Sequence, residues 1–257
     1  MRDFDEFLAD AERFDLEGWD FSALSDRWVE SPPPWDYRES VLDRLDGAQS
    51  LLDMGTGGGE FLSTLPLPDP TVATEGYPPN VPVAHARLAP LGVDVVPVDP
   101  RTDALPFRDG VFDLVINRHE SFDPREVARV LAPAGTFLTQ QVGSQDMVGL
   151  NDALDAPAPE YTDWSLESAV EGLEDADLCV VRWEEAFPET RFADVGAVVS
   201  YLRAIPWQVP DFDAHQYRTE LRRLQERIER EGPFSVSSHR FLLEAVHDSR
   251  GRPSETR

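Results

Sequence analysis

Lysine is absent from the chain, and all 23 residues counted as Lys or Arg are arginine. That excludes a Schiff-base lysine, and with it pyridoxal phosphate chemistry. It also excludes the phosphate-binding loop ending in Gly-Lys-Ser/Thr and the strand lysine of protein kinases. Cysteine is nearly absent as well. The single Cys179 leaves no internal disulfide and no cysteine-paired zinc site, and no metal is expected. No apolar run approaches the ~18 residues of a membrane span. The N-terminal Met1-Arg2-Asp3-Phe4-Asp5 is acidic and lacks an apolar core, so it does not resemble a signal peptide. A cytoplasmic protein is expected.

What abounds is negative charge. Asp and Glu number 49, and the formal net charge is -26 over 257 residues. Such a chain repels itself in dilute salt and is screened in concentrated salt. The composition reads as halophilic, against the alternative of a GC-rich genome that exchanged lysine for arginine codon by codon. Thermal melts separate the two. On the halophilic reading Tm rises as KCl goes from dilute to molar, whereas a flat or falling Tm leaves only codon usage.

The length suits one large α/β domain with additions. Residues 1–48 read as a helical extension or lid, interrupted by Ser31-Pro32-Pro33-Pro34 and punctuated by Trp19, Trp28 and Trp35. Tyr37 to Leu45 has Val41, Leu42 and Leu45 at helical spacing. Beyond residue 48, short apolar runs occur at Ser50–Met54, Thr71–Thr74, Val93–Val98, Phe112–Ile116, Thr136–Val142, Leu178–Glu185 and Phe241–His247. Helix-compatible segments such as Pro124–Leu131 lie between them. Strands alternating with helices imply a parallel sheet covered on both faces. The stretch at about 186–240 is too long for a connector. It holds a predicted helix at Val195–Ile205, an aromatic turn at Pro206–Phe212 and a charged helix at His215–Glu231, and is expected to be an inserted lid or substrate wall.

The chemistry concentrates at Leu51-Leu52-Asp53-Met54-Gly55-Thr56-Gly57-Gly58-Gly59-Glu60, a buried strand entering a glycine-rich turn. Glycine permits a sharp turn and close approach to a ligand. A helix is expected to follow, presenting its free N–H groups to a ligand carboxylate. The dinucleotide pattern G-x-G-x-x-G fails, because its third glycine falls on Glu60. About 20 residues past Gly55, the second strand ends in Glu75, which can accept both hydroxyls of a ribose. By itself Glu75 also fits a solvated loop acid.

Two further stretches complete the pattern: Val96-Pro97-Val98-Asp99, and Leu105-Pro106-Phe107-Arg108-Asp109-Gly110-Val111-Phe112-Asp113-Leu114-Val115. With Arg129-Val130-Leu131-Ala132-Pro133-Ala134-Gly135-Thr136, they make residues 48–142 resemble the class I S-adenosylmethionine (SAM)-dependent methyltransferases, in a type 11-like subfamily without a characterised substrate. Ala134 stands where that family has a glycine. The resemblance implies a Rossmann-like seven-stranded sheet, mostly parallel with an antiparallel last strand, and places the methyltransferase domain at residues 49–257. It implies that Asp53 orients the cofactor's amino group. Gly55, Gly57 and Gly59 would line its methionyl and ribose portion, Glu75 would take the ribose hydroxyls, and Asp99 would lie near adenine. Pro100-Arg101-Thr102-Asp103 lengthens the segment after Asp99, so Asp103 is an alternative adenine contact.

On the acceptor side, the fourth strand runs into Asn117-Arg118-His119-Glu120, where ligands of open α/β sheets bind. His119 and Glu120 are the candidate base and its orienting carboxylate, with Asn117 beside them. Packing or capping of the turn is the competing role for His119. Tyr201 to Trp207 would form an apolar acceptor pocket or else belong to a core, and Trp35 and Tyr37 would close over the site. The Asn/Asp-Pro-Pro-Tyr/Phe signature of base amino-methylation is absent. Nucleic acid is not indicated, since Arg218, Arg222, Arg223, Arg227 and Arg230 alternate with acids as on a solvated helix face. No membrane partner is expected either. A small-molecule acceptor is expected, with an RNA methyltransferase or a non-catalytic SAM-binding interaction protein as the alternatives.

Overall fold

In a computed structural model of the protein, residues 3–13, 24, 26–99, 101–102, 104–159 and 161–247 are described; Trp19, Pro100 and Asp103 lie outside them. Asp3 and Glu6 accept each other's backbone N–H groups, a capping box that starts α1 (Phe4–Glu12). Then follow β1 (Trp28–Glu30), α2 (Tyr37–Leu45), β2 (Leu51–Met54), β3 (Thr71–Glu75), α3 (Asn80–Leu88), β4 (Asp94–Pro97) and β5 (Phe112–Arg118). The second half contains α4 (Pro124–Val130), β6 (Leu131–Val142), α5 (Val148–Ala153), α6 (Leu166–Asp175), β7 (Leu178–Ala186) and β8 (Glu189–Phe192). It ends with α7 (Val195–Ala204), α8 (Arg218–Glu231), β9 (Phe234–Ser237) and β10 (Arg240–His247).

All the strand stretches read from the apolar runs are present in one seven-stranded sheet of order β4-β3-β2-β5-β6-β10-β7. The sheet is mostly parallel with one antiparallel strand. Every residue of β2 is buried, as expected of a strand covered on both faces. From β2 the chain first builds outward through β3 and β4, then returns to place β5 on the other side of β2. The strand order therefore reverses between β2 and β5, and that switch point is where a ligand crevice opens at the carboxyl ends.

The chain forms two compact units. One comprises Trp35–Gln141, Leu166–Glu184 and Phe241–Arg257, and holds most of this sheet with α2, α3, α4 and α6. Within it, Arg129 of α4 explains the stretch around Leu105. Its guanidinium donates to the carbonyls of Leu105 (2.9 Å) and Phe107 (2.7 Å), and to Asp109 and Glu126. One arginine thus pins the loop before β5 to the helix after it.

The other unit comprises Met1–Pro34, Val142–Ser165 and Glu185–Arg240. It contains a three-stranded antiparallel sheet, order β1-β8-β9. This corrects the helical reading of residues 1–48, because β1 lies within them. These strands are so short that pairing across the sheet, rather than local pattern, creates them. Its core gathers Leu8, Met147, Phe192, Val198, Leu221 and Phe234. Tyr201 belongs to that core, 5.6 Å from the Phe192 ring and 6.0 Å from Trp28, so α7 is a core helix rather than the wall of an apolar pocket.

Candidate functional site

The site is built on the first unit. At the end of β2 the backbone takes positive φ at Gly55 (70°), Gly57 (62°) and Gly59 (78°), a region that side chains with a Cβ avoid. The turn is tied to β3: the Gly55 N–H points at the Thr74 hydroxyl (3.3 Å), and the Thr56 N–H donates to the Thr74 carbonyl (2.9 Å). Those bonds bring Glu75, the next residue, alongside the turn. At Gly55 a Cβ would lie 2.5 Å from the Glu120 side chain, and at Gly59 it would lie 2.8 Å from Leu88.

No α-helix follows this turn, contrary to expectation. A single-turn 3-10 helix, Leu62–Thr64, takes its place. The Ser63 and Thr64 hydroxyls donate back to the carbonyls of Glu60 (2.9 Å) and Phe61 (2.8 Å), closing the turn on itself. Pro66, two residues after Thr64, then opposes helical continuation. The N–H groups of a helix end are therefore not available to a ligand carboxylate here.

Asp53 is 5 % exposed, and burial raises its carboxyl pKa to about 6. The Thr56 side chain opposes the rise, Glu75 adds to it, and Arg118 counters it. Glu75 is also buried and its pKa is raised, chiefly by desolvation. The Tyr77 N–H, donating to Oε1 at 2.7 Å, pulls it back, and the charge of Glu120 pushes it up. Asp99 differs from both. It follows β4 as a surface acid, clasped by the Arg101 side chain (2.7 Å) and backbone N–H (3.0 Å), which hold its pKa below the usual carboxylate range. The alternative adenine contact, Asp103, lies outside the described residues.

Beyond β5 the candidate acceptor residues are engaged by different partners. Asn117 is fully buried. Its Oδ1 accepts from the Thr139 hydroxyl (2.8 Å) and from Gln141 Nε2 (2.6 Å). Gln141 Nε2 also donates to the Glu120 carbonyl (3.1 Å), which can only accept and so fixes both amide orientations. Asn117 Nδ2 has no hydrogen-bond partner among the described residues.

His119 sits at φ 61°, a left-handed conformation. Trp35 Nε1 donates to Gln140 Oε1 (2.8 Å), so the other end of that amide is a donor. Gln140 Nε2 lies 3.1 Å from His119 Nε2, which therefore accepts and carries no proton; a neutral ring holds its proton on Nδ1. Glu120 instead lies against Gly55, with the Ser121 hydroxyl 3.3 Å from its Oε1, and burial raises its pKa.

Trp35 and Tyr37 are buried within the unit, and the Tyr37 hydroxyl donates to the Asn117 carbonyl (3.0 Å). Gln140, Gln141 and Arg118 belong to no motif in the sequence. The only visible signal for the glutamines was a polar run, Thr139-Gln140-Gln141, closing an otherwise apolar strand.

An open α/β sheet with a glycine turn and two buried carboxylates at its switch point defines a class of enzyme that binds a nucleoside-bearing cofactor. Residues 52–139 match the family model described as Methyltransferase domain. No curated protein matches the chain. Among solved structures, the chain is similar to a functionally unknown protein from Deinococcus radiodurans R1, with 13 % identity, TM-score 0.61 and coverage of 86 % of this chain and 90 % of that one. It is similar to a methyltransferase candidate from Bacillus halodurans C-125, with 19 % identity, TM-score 0.58 and coverage of 81 % and 96 %. A third is a chain from the complex between the Haloferax volcanii Trm112 methyltransferase activator and a methyltransferase candidate, with 22 % identity, TM-score 0.53 and coverage of 97 % and 99 %. These likenesses show the fold; the family model names it. Residues 52–139 thus carry a methyltransferase domain, which supports an enzyme whose cofactor is SAM.

The donor set suits that cofactor. Carboxylates whose burial penalises their charged form favour a ligand bearing a cation and hydroxyls. Asp53 and Glu75 are the two carboxylates available for such a ligand's cation and hydroxyls.

Proposed function

We propose that the protein methylates a small-molecule acceptor. Asp53, Gly55, Gly57, Gly59, Glu75 and Asp99 hold the cofactor, and His119 and Glu120 face the acceptor, with Asn117 buried behind them. The bound cofactor supplies a methyl already activated by positive sulfur. The chain's task is alignment and exclusion of water, with a base needed only for a protonated acceptor atom. His119 is the candidate base. Its Nε2 lone pair is shared with Gln140, so the acceptor must displace that amide to lose a proton there.

The observation that favours a small acceptor over RNA is the state of the arginines on α8. Arg218, Arg223, Arg227 and Arg230 are each paired with a carboxylate, and Arg222 lies 4.4 Å from the Phe4 ring centroid. They offer phosphates little uncompensated charge. Labelled methyl from SAM, offered to a cell extract and then fractionated, should appear among small molecules. Label confined to RNA would overturn this reading. With the acceptor fraction in hand, His119→Ala should lower turnover by ~100-fold or more while SAM affinity stays nearly unchanged. A stable, fully active variant would remove His119 from the mechanism.

A second reading rests on the Haloferax volcanii complex, in which a methyltransferase candidate is held with an activator. On that reading the chain works with an activating subunit and the purified chain alone transfers little methyl. Adding back extract protein of high molecular mass would then restore transfer.

A further inference from the structure

Arg118 ends β5 between Asn117 and His119, and it is exposed. Its guanidinium carbon lies 5.8 Å from the ring centroid of Tyr37 and 5.7 Å from that of Phe61. The two rings lie 5.3 Å apart, and Tyr37 is anchored through its hydroxyl to the Asn117 carbonyl. This aromatic seat holds the guanidinium by cation–π attraction. Arg44, Arg87, Arg101 and Arg129 of the same unit each bind a carboxylate, whereas Arg118 has none in salt-bridge reach among the described residues. Arg38, Arg108 and Arg125 also lack a salt bridge among the described residues; what sets Arg118 apart is its place at the end of β5, beside the glycine turn, on an aromatic seat.

The sheet register fixes where Arg118 faces. Asp53 of β2 pairs with Ile116 of β5, so those side chains share a face of the sheet. Arg118 stands two residues beyond Ile116 and therefore projects to that same face, roughly 7 Å further along the strand. Asn117 belongs to the opposite face. One adjacent pair of strands thus presents a buried carboxylate and a ring-seated guanidinium side by side at the switch point.

An α-amino acid carries an ammonium and a carboxylate on one carbon, so it needs an anion and a donor cation a few ångströms apart. Asp53, Glu75 and Glu120 around the glycine turn are all acids and repel a carboxylate. The usual alternative, the N–H groups of a following helix, is lost because the turn ends in a 3-10 turn. We propose that Arg118 binds the α-carboxylate of the cofactor's methionyl end, while Asp53 takes the ammonium of the same carbon. The assignment adds a specific partner to a part of the cofactor that the glycines can only line.

The test compares SAM with decarboxylated SAM, which lacks only that carboxylate, by titration calorimetry on the full chain. The wild type should bind SAM at least ~10-fold more tightly than the decarboxylated analogue. Arg118→Gln should weaken SAM by ~10- to 100-fold, the worth of a charge-assisted hydrogen-bond pair, and leave the analogue within about twofold. Arg118→Lys, which keeps the charge but not the fork, should recover part of the loss. The exposed position predicts unchanged melting of Arg118→Gln, which is checked on the same preparation. If Arg118→Gln binds SAM as the wild type does, or if both ligands lose equally, the proposal fails. Wild-type protein that binds neither ligand would instead bring down the cofactor assignment, and the proposal with it.

Discussion

Glu75→Ala is expected to weaken SAM binding by at least ~100-fold, because a carboxylate accepting from two ribose hydroxyls makes two charge-assisted hydrogen bonds of about 1.5–3 kcal/mol each. The apo variant should not melt much earlier. Desolvation already opposes the ionised Glu75, so removing it relieves a cost even as the Tyr77 N–H loses its acceptor. A variant that both melts early and binds poorly would point to a structural role. Acid should act on the neighbouring carboxylate. Asp53 has a folded-state pKa raised to about 6, above its ordinary 3.8. A cationic ligand favours its ionised form, so affinity should be flat above about 6 and fall toward tenfold per pH unit below it. The sign for the apo fold is opposite. A raised carboxyl pKa favours the folded state at low pH, and that contribution is lost as pH rises from about 4 to about 6. Calorimetry at several pH values would show whether this break is present, and Asp53→Asn should remove it. A break that persists in Asp53→Asn would assign the proton to another group.

The framework of this site was legible because burial on both faces leaves a local trace. β2, β3 and β5 appear as short, largely apolar stretches, and Asp53 and Glu75 stand out as acids toward their carboxyl ends. The helix expected after Gly59 was not legible as absent, because Ser63, Thr64 and Pro66 act through hydroxyl back-bonds and a missing donor rather than through hydrophobic period. β1, β8 and β9 leave no signal of their own, since three or four residues show no periodicity until partners arrive from elsewhere in the chain. Arg118 was hidden for a different reason. In the sequence it is one arginine among many; only three-dimensional pairing shows that Arg101 and Arg129 bind acids while Arg118 rests on rings. The tautomer of His119 is likewise a tertiary fact, passed from Trp35 through Gln140.

Asp146→Ala should destabilise the second unit by roughly 3–5 kcal/mol, although global charge argues for the reverse. Arg240 is 8 % exposed and donates to Asp146 Oδ1 (2.5 Å) and to Glu30 Oε1 (2.8 Å). Asp146 Oδ1 also accepts the backbone N–H of His239 (2.8 Å). His239 in turn takes the Gln145 N–H on Nδ1 (3.2 Å), leaving Nε2 to donate to Glu185 (2.9 Å), and its ring stacks on Phe187 at 4.7 Å. Removing Asp146 leaves Arg240 buried with one partner fewer and strands the His239 N–H, each a desolvation cost without compensation. Self-repulsion across a chain of net charge -26 predicts instead that losing any acid stabilises, and most in dilute salt. The two terms thus have opposite signs, and the local one should win because buried pairs are screened far less than surface charge. Thermal melts in molar KCl, where the global term is small, should fall by on the order of 10 °C. Glu231→Ala, which removes an acid whose partners Arg227 and Arg230 are exposed, provides the contrast and should shift the melt little. The double variant Asp146→Leu with Arg240→Met decides the cause. If the cost comes from a stranded charge, the double variant should melt above Asp146→Ala. If it comes from lost packing, the double variant should melt lower still.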